Sequence, residues 1–383
     1  MENSHLDQLL GHAAHVSLMK EIFPALTVAN LAKVQEVQSE DWYTEKNIAK
    51  ERGKTRTLHV PFPPLKKLQR ELLPTLGDLK VPDCLYGCRP EIDAVRGVRH
   101  ACEAFVRLNG TDAKLRAIFQ TDIRNFFTSI TIEQIRTALA HALGATVFDD
   151  PDIHLCANVV TDLCSNAGYL PQGAPTSPVI SNLVGAQAFD GQIQDLLKKE
   201  IGHGAVYMRY ADDITVFSPE DISEETRAAI SDILQTEGFE TSRKKTSYHL
   251  DAQTTKVLGV QIQKHDGEDI RFRLRPDTAK KWAAGMFSLM RKNKNFFKRR
   301  AFIKHRPVQR TLGRLAHAAH IGRHGHDPHG QSHDTLLPKP LAHAWGHFQE
   351  KFQRRLPAGH EYWYRKDGYE PPVKVLSDES EEE

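Results

Sequence analysis

Cysteine is scarce in this chain and never set in paired-motif spacing: Cys84, Cys88, Cys102, Cys156 and Cys164 form an odd set with no CxxC. That excludes a disulfide framework and a four-thiolate zinc centre, and the five are read as reduced packing residues. Long apolar runs are missing as well. No window approaches the roughly 18 consecutive apolar residues of a membrane span. The opening MENSHLDQLLGHAAHVSLMK lacks the basic-then-apolar order of a secretory leader. The expectation is a cytoplasmic protein with no membrane partner. Acid is absent from one long stretch: between Lys280 and Arg314 there are twelve Lys or Arg and no Asp or Glu.

What is present is a chain of 383 residues, 40% hydrophobic and 26% charged, long enough for two or three packed lobes. A net charge of +2 conceals the basic stretch and the closing DESEEE (378–383), five acids in six residues. Trp282, Phe287, Phe296, Phe297 and Phe302 interleave the basic residues, a composition that suits a phosphate backbone with bases or sugars packed alongside. A solvated helix face is the other reading of such a run. The acidic tail is expected to be disordered.

Three regions follow from the local patterns. Ser4 and Asp7 stand in capping-box spacing before Leu6, Leu9, Leu10, Ala13 and Val16 at helical intervals, which predicts an amphipathic helix. From about 52 to 275, turns marked by Pro and Gly separate short strands and helices. LKKLQREL (65–72) is a helix entered through Pro63–Pro64, LRAIFQTDI (115–123) a buried strand, 133–143 and 152–166 helices, and 179–200 a longer helix. Beyond 276 the signals are helical and basic as far as HGHDPHGQSHD (324–334). No internal repeat is found.

VYMRYADDITVF (206–217) carries two adjacent carboxylates between two alternating runs, so Asp212 and Asp213 fall at or beside a hairpin turn, at an edge a ligand reaches. Close carboxylates repel unless cations or protons intervene, and hard divalent ions take such oxygens. Asp is also a favoured turn residue, so the pair needs company before it implies chemistry. FQTDIRNFFTSI (119–130), where Asp122 ends an apolar strand, and LPQGAPTSPVISNL (170–183), a Gly/Pro-controlled loop leading into a helix, provide it.

In this order the three stretches resemble the palm of reverse transcriptases: an aspartate followed five residues on by Phe or Tyr, then a PQG…SP loop, then YxDD. Further blocks are similar to the same family. RGKTRTLHVPFPPLKKLQREL looks like its fingers, LYGCRPEIDAVRG like the block after them, GFETSRKKTSYH like the Lys-bearing block after the catalytic hairpin, and VLGVQIQ like the primer grip. QRTLGRLAHAAHIG is similar to the thumb of bacterial retron-type enzymes. The resemblance implies an α+β, right-hand polymerase: an N-terminal helical segment (1–50), fingers and an antiparallel palm (51–275), a basic helical thumb (276–350) and an extension with the acidic tail (351–383).

It also implies an RNA-directed DNA polymerase using Mg²⁺ or Mn²⁺ held by Asp122, Asp212 and Asp213. Two metals of this kind lie roughly 3.5–4 Å apart, which requires carboxylates converging from different strands. Other roles carry over by position. Lys54 and Arg56 match residues gripping the triphosphate. Gln172 matches the one touching the incoming nucleotide, with Gly173 admitting close backbone approach. Lys245 matches the block proposed to protonate pyrophosphate, with Lys244 competing. Leu258, Gly259 and Val260 match the primer grip, and Arg299, Arg300 and Lys304 would contact nucleic-acid phosphates. Phe127 falls under the sugar of the incoming nucleotide, where a ring would clash with a ribose 2′-hydroxyl; RNA polymerases of similar layout usually place an acid there.

The implied partners are an RNA template, in a retron system a structured non-coding RNA, with dNTPs and a DNA product. An effector protein or a homo-oligomer is open. Retron enzymes typically carry NAxxH before the first catalytic aspartate and VTG near the primer grip; this chain has DAVRGVRH (93–100) and VLG (257–259). Both a retron and a related defence-associated bacterial lineage therefore stay open. So do a template-independent DNA-synthesising polymerase and a polymerase-shaped RNA-binding protein with secondary catalysis. His317, His320, His324, His326, His329 and His333 are read as a solvated loop or phosphate contacts, since no Cys follows position 164 to frame a zinc site.

Overall fold

The computed structural model describes residues 19–49, 55–89, 92–110, 113–144, 151–252, 254–263, 271–273 and 276–292, together with 340, 341, 343–345 and 347. The opening segment predicted as an amphipathic helix, Lys54, the basic residues after 292, the histidine-rich loop and the acidic tail lie outside them. The chain divides into two compact units, one formed by Met1–Gly97 and Leu115–Leu250, the other by Val98–Lys114 and Asp251–Glu383.

In the first unit, α1 (Val28–Gln35) starts at Thr27, whose hydroxyl accepts from the Asn30 amide. An antiparallel ribbon follows, β1 (Tyr43–Ala49) with β2 (Thr55–Pro61). Phe62 and the Pro63–Pro64 pair open α2 (Pro63–Asp78), since proline costs nothing in a first turn whose N–H groups lack helical partners. Its apolar stripe, Leu65, Leu68, Leu72 and Leu76, is buried at the spacing expected of a core-facing helix. α3 (Ala94–Asn109) comes next in the chain; it starts in the first unit, and from Val98 onward it belongs to the second.

The central sheet is built from β3 (Ala117–Asp122), β4 (Val206–Tyr210), β5 (Asp213–Ser218) and β6 (Ser247–Leu250), in the order β4-β5-β3-β6 and antiparallel throughout. The helices packed into the same core are α4 (Ile132–Ala142), α5 (Pro151–Cys164), α6 (Ser177–Gly185), α7 (Gly191–Glu200) and α8 (Glu224–Thr236). Thr131 and Gln134 cap α4 reciprocally, and Ser223 caps α8. Residues 179–200, predicted as one long helix, are helical throughout, but a π turn at Ala186–Asp190 joins α6 to α7. Phe126, Phe189 and Phe239 meet in the core, with ring centroids 5.3–6.3 Å apart.

The second unit holds a three-stranded antiparallel sheet, β7 (Thr254–Val257), β8 (Val260–Gln263) and β9 (Arg271–Arg273), and the helix α9 (Pro276–Lys292). None of the five cysteines forms a disulfide. Among the described residues no helix is long and apolar enough to cross a membrane.

Candidate active site

β3 is buried along nearly its whole length and ends at Asp122, whose side chain is 5% exposed. β4 and β5 form the predicted hairpin, with Ala211 and Asp212 as its turn and Asp213 as the first residue of β5. The β3–β5 ladder sets Asp122 opposite Asp213, and the Ile123 amide donates to the Asp212 carbonyl at 2.9 Å. Carboxylates from two chain segments thus converge at one end of the sheet. Ala211 adopts the left-handed conformation (φ 55), which a residue with a Cβ occupies rarely.

The segment after α8 adds the basic member. The Asp122 carbonyl accepts from the Ser242 amide at 2.8 Å, and the Thr121 and Thr246 hydroxyls lie 2.9 Å apart. These contacts bring the Lys245 ammonium onto Oδ2 of Asp122. Lys245, rather than Lys244, therefore joins the acids. Its side chain stays 58% exposed, so it can move without emptying the core.

The electrostatics follow from crowding. Burial pushes the Asp213 carboxyl up to about 6, and the charges of Asp212 and Asp122 add to it against the pull of Lys245. Asp122 is raised mainly by burial; the Lys245 hydrogen bond opposes this and the Asp212 charge reinforces it. Lys245 is raised despite its partial desolvation, because Asp122, Asp212 and Asp213 favour the ammonium. The site carries more negative charge than one lysine neutralises.

Among the described residues no group of three or more His, Cys, Asp or Glu side chains is arranged to hold a metal ion as it stands. The donor set nevertheless fits a hard divalent cation: it offers carboxylate oxygens only, with excess negative charge, and a cation already rests on Asp122.

The other predicted residues distribute as follows. The Gln172 carbonyl accepts from the His59 amide at 2.8 Å, strapping the PQG loop to β2. Gly173 has φ 118, and a Cβ there would lie 3.2 Å from the Leu58 Cβ and 3.3 Å from the His59 carbonyl oxygen, which accounts for glycine at this position. Arg56 is exposed on β2 opposite Ile48. Phe127 is partly buried, its ring 6.0 Å from that of Phe126, after Asn125 in a left-handed conformation. Leu258 and Gly259, with φ 47 and 86, form the tight turn between β7 and β8 in the second unit, and Val260 opens β8. Arg299, Arg300 and Lys304 lie outside the described residues.

A family model described as reverse transcriptase (RNA-dependent DNA polymerase) matches residues 48–262. The chain belongs to the reverse transcriptase family. Its curated relatives include the retron Mx65 reverse transcriptase of Myxococcus xanthus, 31% identical over 56% of this chain and 50% of that protein. The retron Ec86 reverse transcriptase of Escherichia coli is 31% identical over 38% of this chain and 42% of that protein. The expected retron-type resemblance is borne out, and the chain spans about half the length or less of these two relatives. Among solved structures, a telomerase from Candida albicans is similar at a TM-score of 0.44 and 12% identity, covering 76% of this chain and 56% of that one, too weak a likeness to bear on the fold.

One feature of this chain was not singled out from its sequence: a fully buried Arg209–Asp190 ion pair, Nη2 to Oδ2 at 2.8 Å, beneath the acidic turn. Its signal was available, since Arg209 interrupts an otherwise apolar and aromatic strand and charged residues are almost never fully buried unless paired.

Proposed function

We propose that this protein is an RNA-directed DNA polymerase that extends a primer by nucleotidyl transfer in a bacterial retron or related anti-phage defence system. The observation that carries the reading is the meeting of Asp122, Asp212, Asp213 and Lys245 at one end of the antiparallel sheet. The three aspartates would hold Mg²⁺ or Mn²⁺; bound divalent ions lower the pKa of a primer hydroxyl and offset the charge of the departing pyrophosphate.

In the reaction the primer 3′-oxygen forms a bond to the α-phosphorus of a dNTP, the bond from that phosphorus to the pyrophosphate oxygen breaks, and the hydroxyl proton passes to solvent water. Lys245, kept protonated by the acids, would donate a proton to the leaving pyrophosphate. Arg56, with Lys54, binds the triphosphate. Gln172, held by β2, touches the incoming nucleotide, and Phe127 excludes a 2′-hydroxyl. Leu258 and Gly259 support the primer, and Arg299, Arg300 and Lys304 contact phosphates of the template–primer.

Residues 51–275 would then be fingers and palm, 276–350 the thumb, and 351–383 an extension. The template is an RNA, in a retron system a structured non-coding one, and the reaction takes place in the cytoplasm; an effector protein or a second copy would complete the system. The deciding experiment compares the purified protein with its Asp212→Asn, Asp213→Asn variant. DNA made on a primed RNA template, and RNA-templated DNA among the copurified nucleic acid, should appear with the parent alone. Equal synthesis by the two proteins would refute the reading.

A further inference from the structure

Arg209 lies near the end of β4 with its side chain wholly buried. A guanidinium so placed is tolerated only when its donors are matched. Nε donates to Asp190 Oδ1 at 2.9 Å and Nη2 to Asp190 Oδ2 at 2.8 Å, and the Tyr207 hydroxyl donates to the same carboxylate at 2.6 Å. Phe126 and Phe189 flank the cation, their ring centroids 5.7 and 5.4 Å from Cζ. The π turn Ala186–Asp190 places Asp190 here, and Gly185 makes the room: a Cβ on it would stand 2.4 Å from Nη2.

The remaining donors leave the ion pair and run toward the acids. Nη1 donates to the Ala211 carbonyl at 3.2 Å, and Nη2 to the Asn182 carbonyl at 3.2 Å. Ala211 is the left-handed residue immediately before Asp212. Asn182 donates from Nδ2 to the Gly87 carbonyl at 2.6 Å. Gly87 in turn lies so close to the turn that a Cβ would be 2.5 Å from the Ala211 nitrogen. On the strand side the Arg209 amide donates to the Cys84 carbonyl and the Tyr86 amide to the Arg209 carbonyl, both at 3.0 Å. The acidic turn is therefore gripped from below by the guanidinium and from the side by residues 84–87.

We propose that Arg209, anchored on Asp190, is a positioning residue for the catalytic acids: its bond to the Ala211 carbonyl holds the left-handed turn that aims Asp212 and Asp213. The proposal rests on the reading of those aspartates as metal-holding groups. Stability alone does not call for this arrangement, because a buried ion pair is commonly replaced by apolar residues with little loss of fold. An apolar replacement cannot donate to the turn carbonyl, however, and groups that orient metal-holding side chains tune affinity and rate from behind them.

The test uses the full chain carrying Arg209→Met together with Asp190→Asn, which removes both charges at once, beside Arg209→Lys and the control Asp212→Asn. Melting, Mn²⁺ binding by calorimetry, and kcat and KM on a primed RNA template are measured per mole of folded protein. The folded double variant should lose about 10–100-fold in Mn²⁺ affinity and in kcat, with KM for template–primer unchanged. Arg209→Lys, which keeps the charge but lacks the fork that spans Asp190 and Ala211, should not rescue either quantity. Parental Mn²⁺ affinity and kcat in the folded double variant would overturn the proposal; if that variant does not fold, the same two outcomes are read from Arg209→Lys. Parental Mn²⁺ binding and synthesis by Asp212→Asn would instead overturn the assignment of the acids, and the proposal with it.

Discussion

Asp122 and Asp213 are the last register partners of the β3–β5 ladder, so two acidic residues stand opposite each other on adjacent strands. Like charges in that relationship oppose pairing unless something cationic intervenes.

Asp213→Asn removes one of these charges while keeping the shape. In chelator at neutral pH the variant should melt at or above the parental temperature, because the ionised carboxylate is disfavoured where it sits. Primer extension should fall to background. Calorimetry and a gel-based extension assay check the two halves separately, and parental extension would remove Asp213 from the metal-holding set.

The pH dependence has a defined sign. Asp213 titrates at about 6 in the folded chain and near 3.9 when unfolded, so the folded state binds this proton more tightly. In chelator its contribution to stability should therefore rise as pH falls from above 6 toward 4, and be lost as pH rises through about 6. The difference in melting temperature between parent and Asp213→Asn isolates that contribution. Extension in Mg²⁺ should move the other way, declining as pH drops, because protons compete with the cation for the same oxygens. A difference in melting that does not change with pH would contradict the assignment.

Lys245→Gln takes the cation off Asp122. The acid limb of the extension profile should shift to higher pH, since burial and Asp212 then act on Asp122 without the opposing hydrogen bond. Loss of a general acid should also lower kcat by roughly 10²–10⁴-fold. Lys244→Gln, whose side chain does not meet Asp122 in the structure, serves as the comparison. Equal effects of the two substitutions would dissociate Lys245 from proton transfer.

Phe127→Ala should narrow the preference for dNTP over NTP, read as the ratio of kcat/KM values in direct competition. Phe127 is only partly buried, so the substitution should destabilise by less than the roughly 3–5 kcal/mol typical of a buried Phe→Ala change. Phe126→Ala, which empties a core position, is expected to lower melting without altering sugar preference. If the folded Phe127 variant keeps the parental ratio, the ring is packing and not a gate.

Much of the site was legible because its parts are local. Alternation on both sides of Ala211 and Asp212 specified a hairpin, Pro63–Pro64 a helix start, and the run ending at Asp122 a buried strand; each follows from backbone sterics and a repeat of two or 3.6 residues acting over a few positions. Motif order then pointed to the family. What no local pattern contains is which strand lies beside which. The Lys245–Asp122 contact joins residues 123 apart, and only the β4-β5-β3-β6 order with the Ser242–Asp122 bond selects Lys245 over Lys244. Likewise, Gly87 and Gly185 read as ordinary turn or helix glycines until the Ala211 nitrogen and the Arg209 guanidinium are found where their side chains would have been. The sequence by itself determined the elements and the kind of chemistry, because propensity and spacing are properties of neighbours. The tertiary structure decided the register of the carboxylates and the buried Arg209–Asp190 support, because desolvation and close packing depend on groups that only folding brings together.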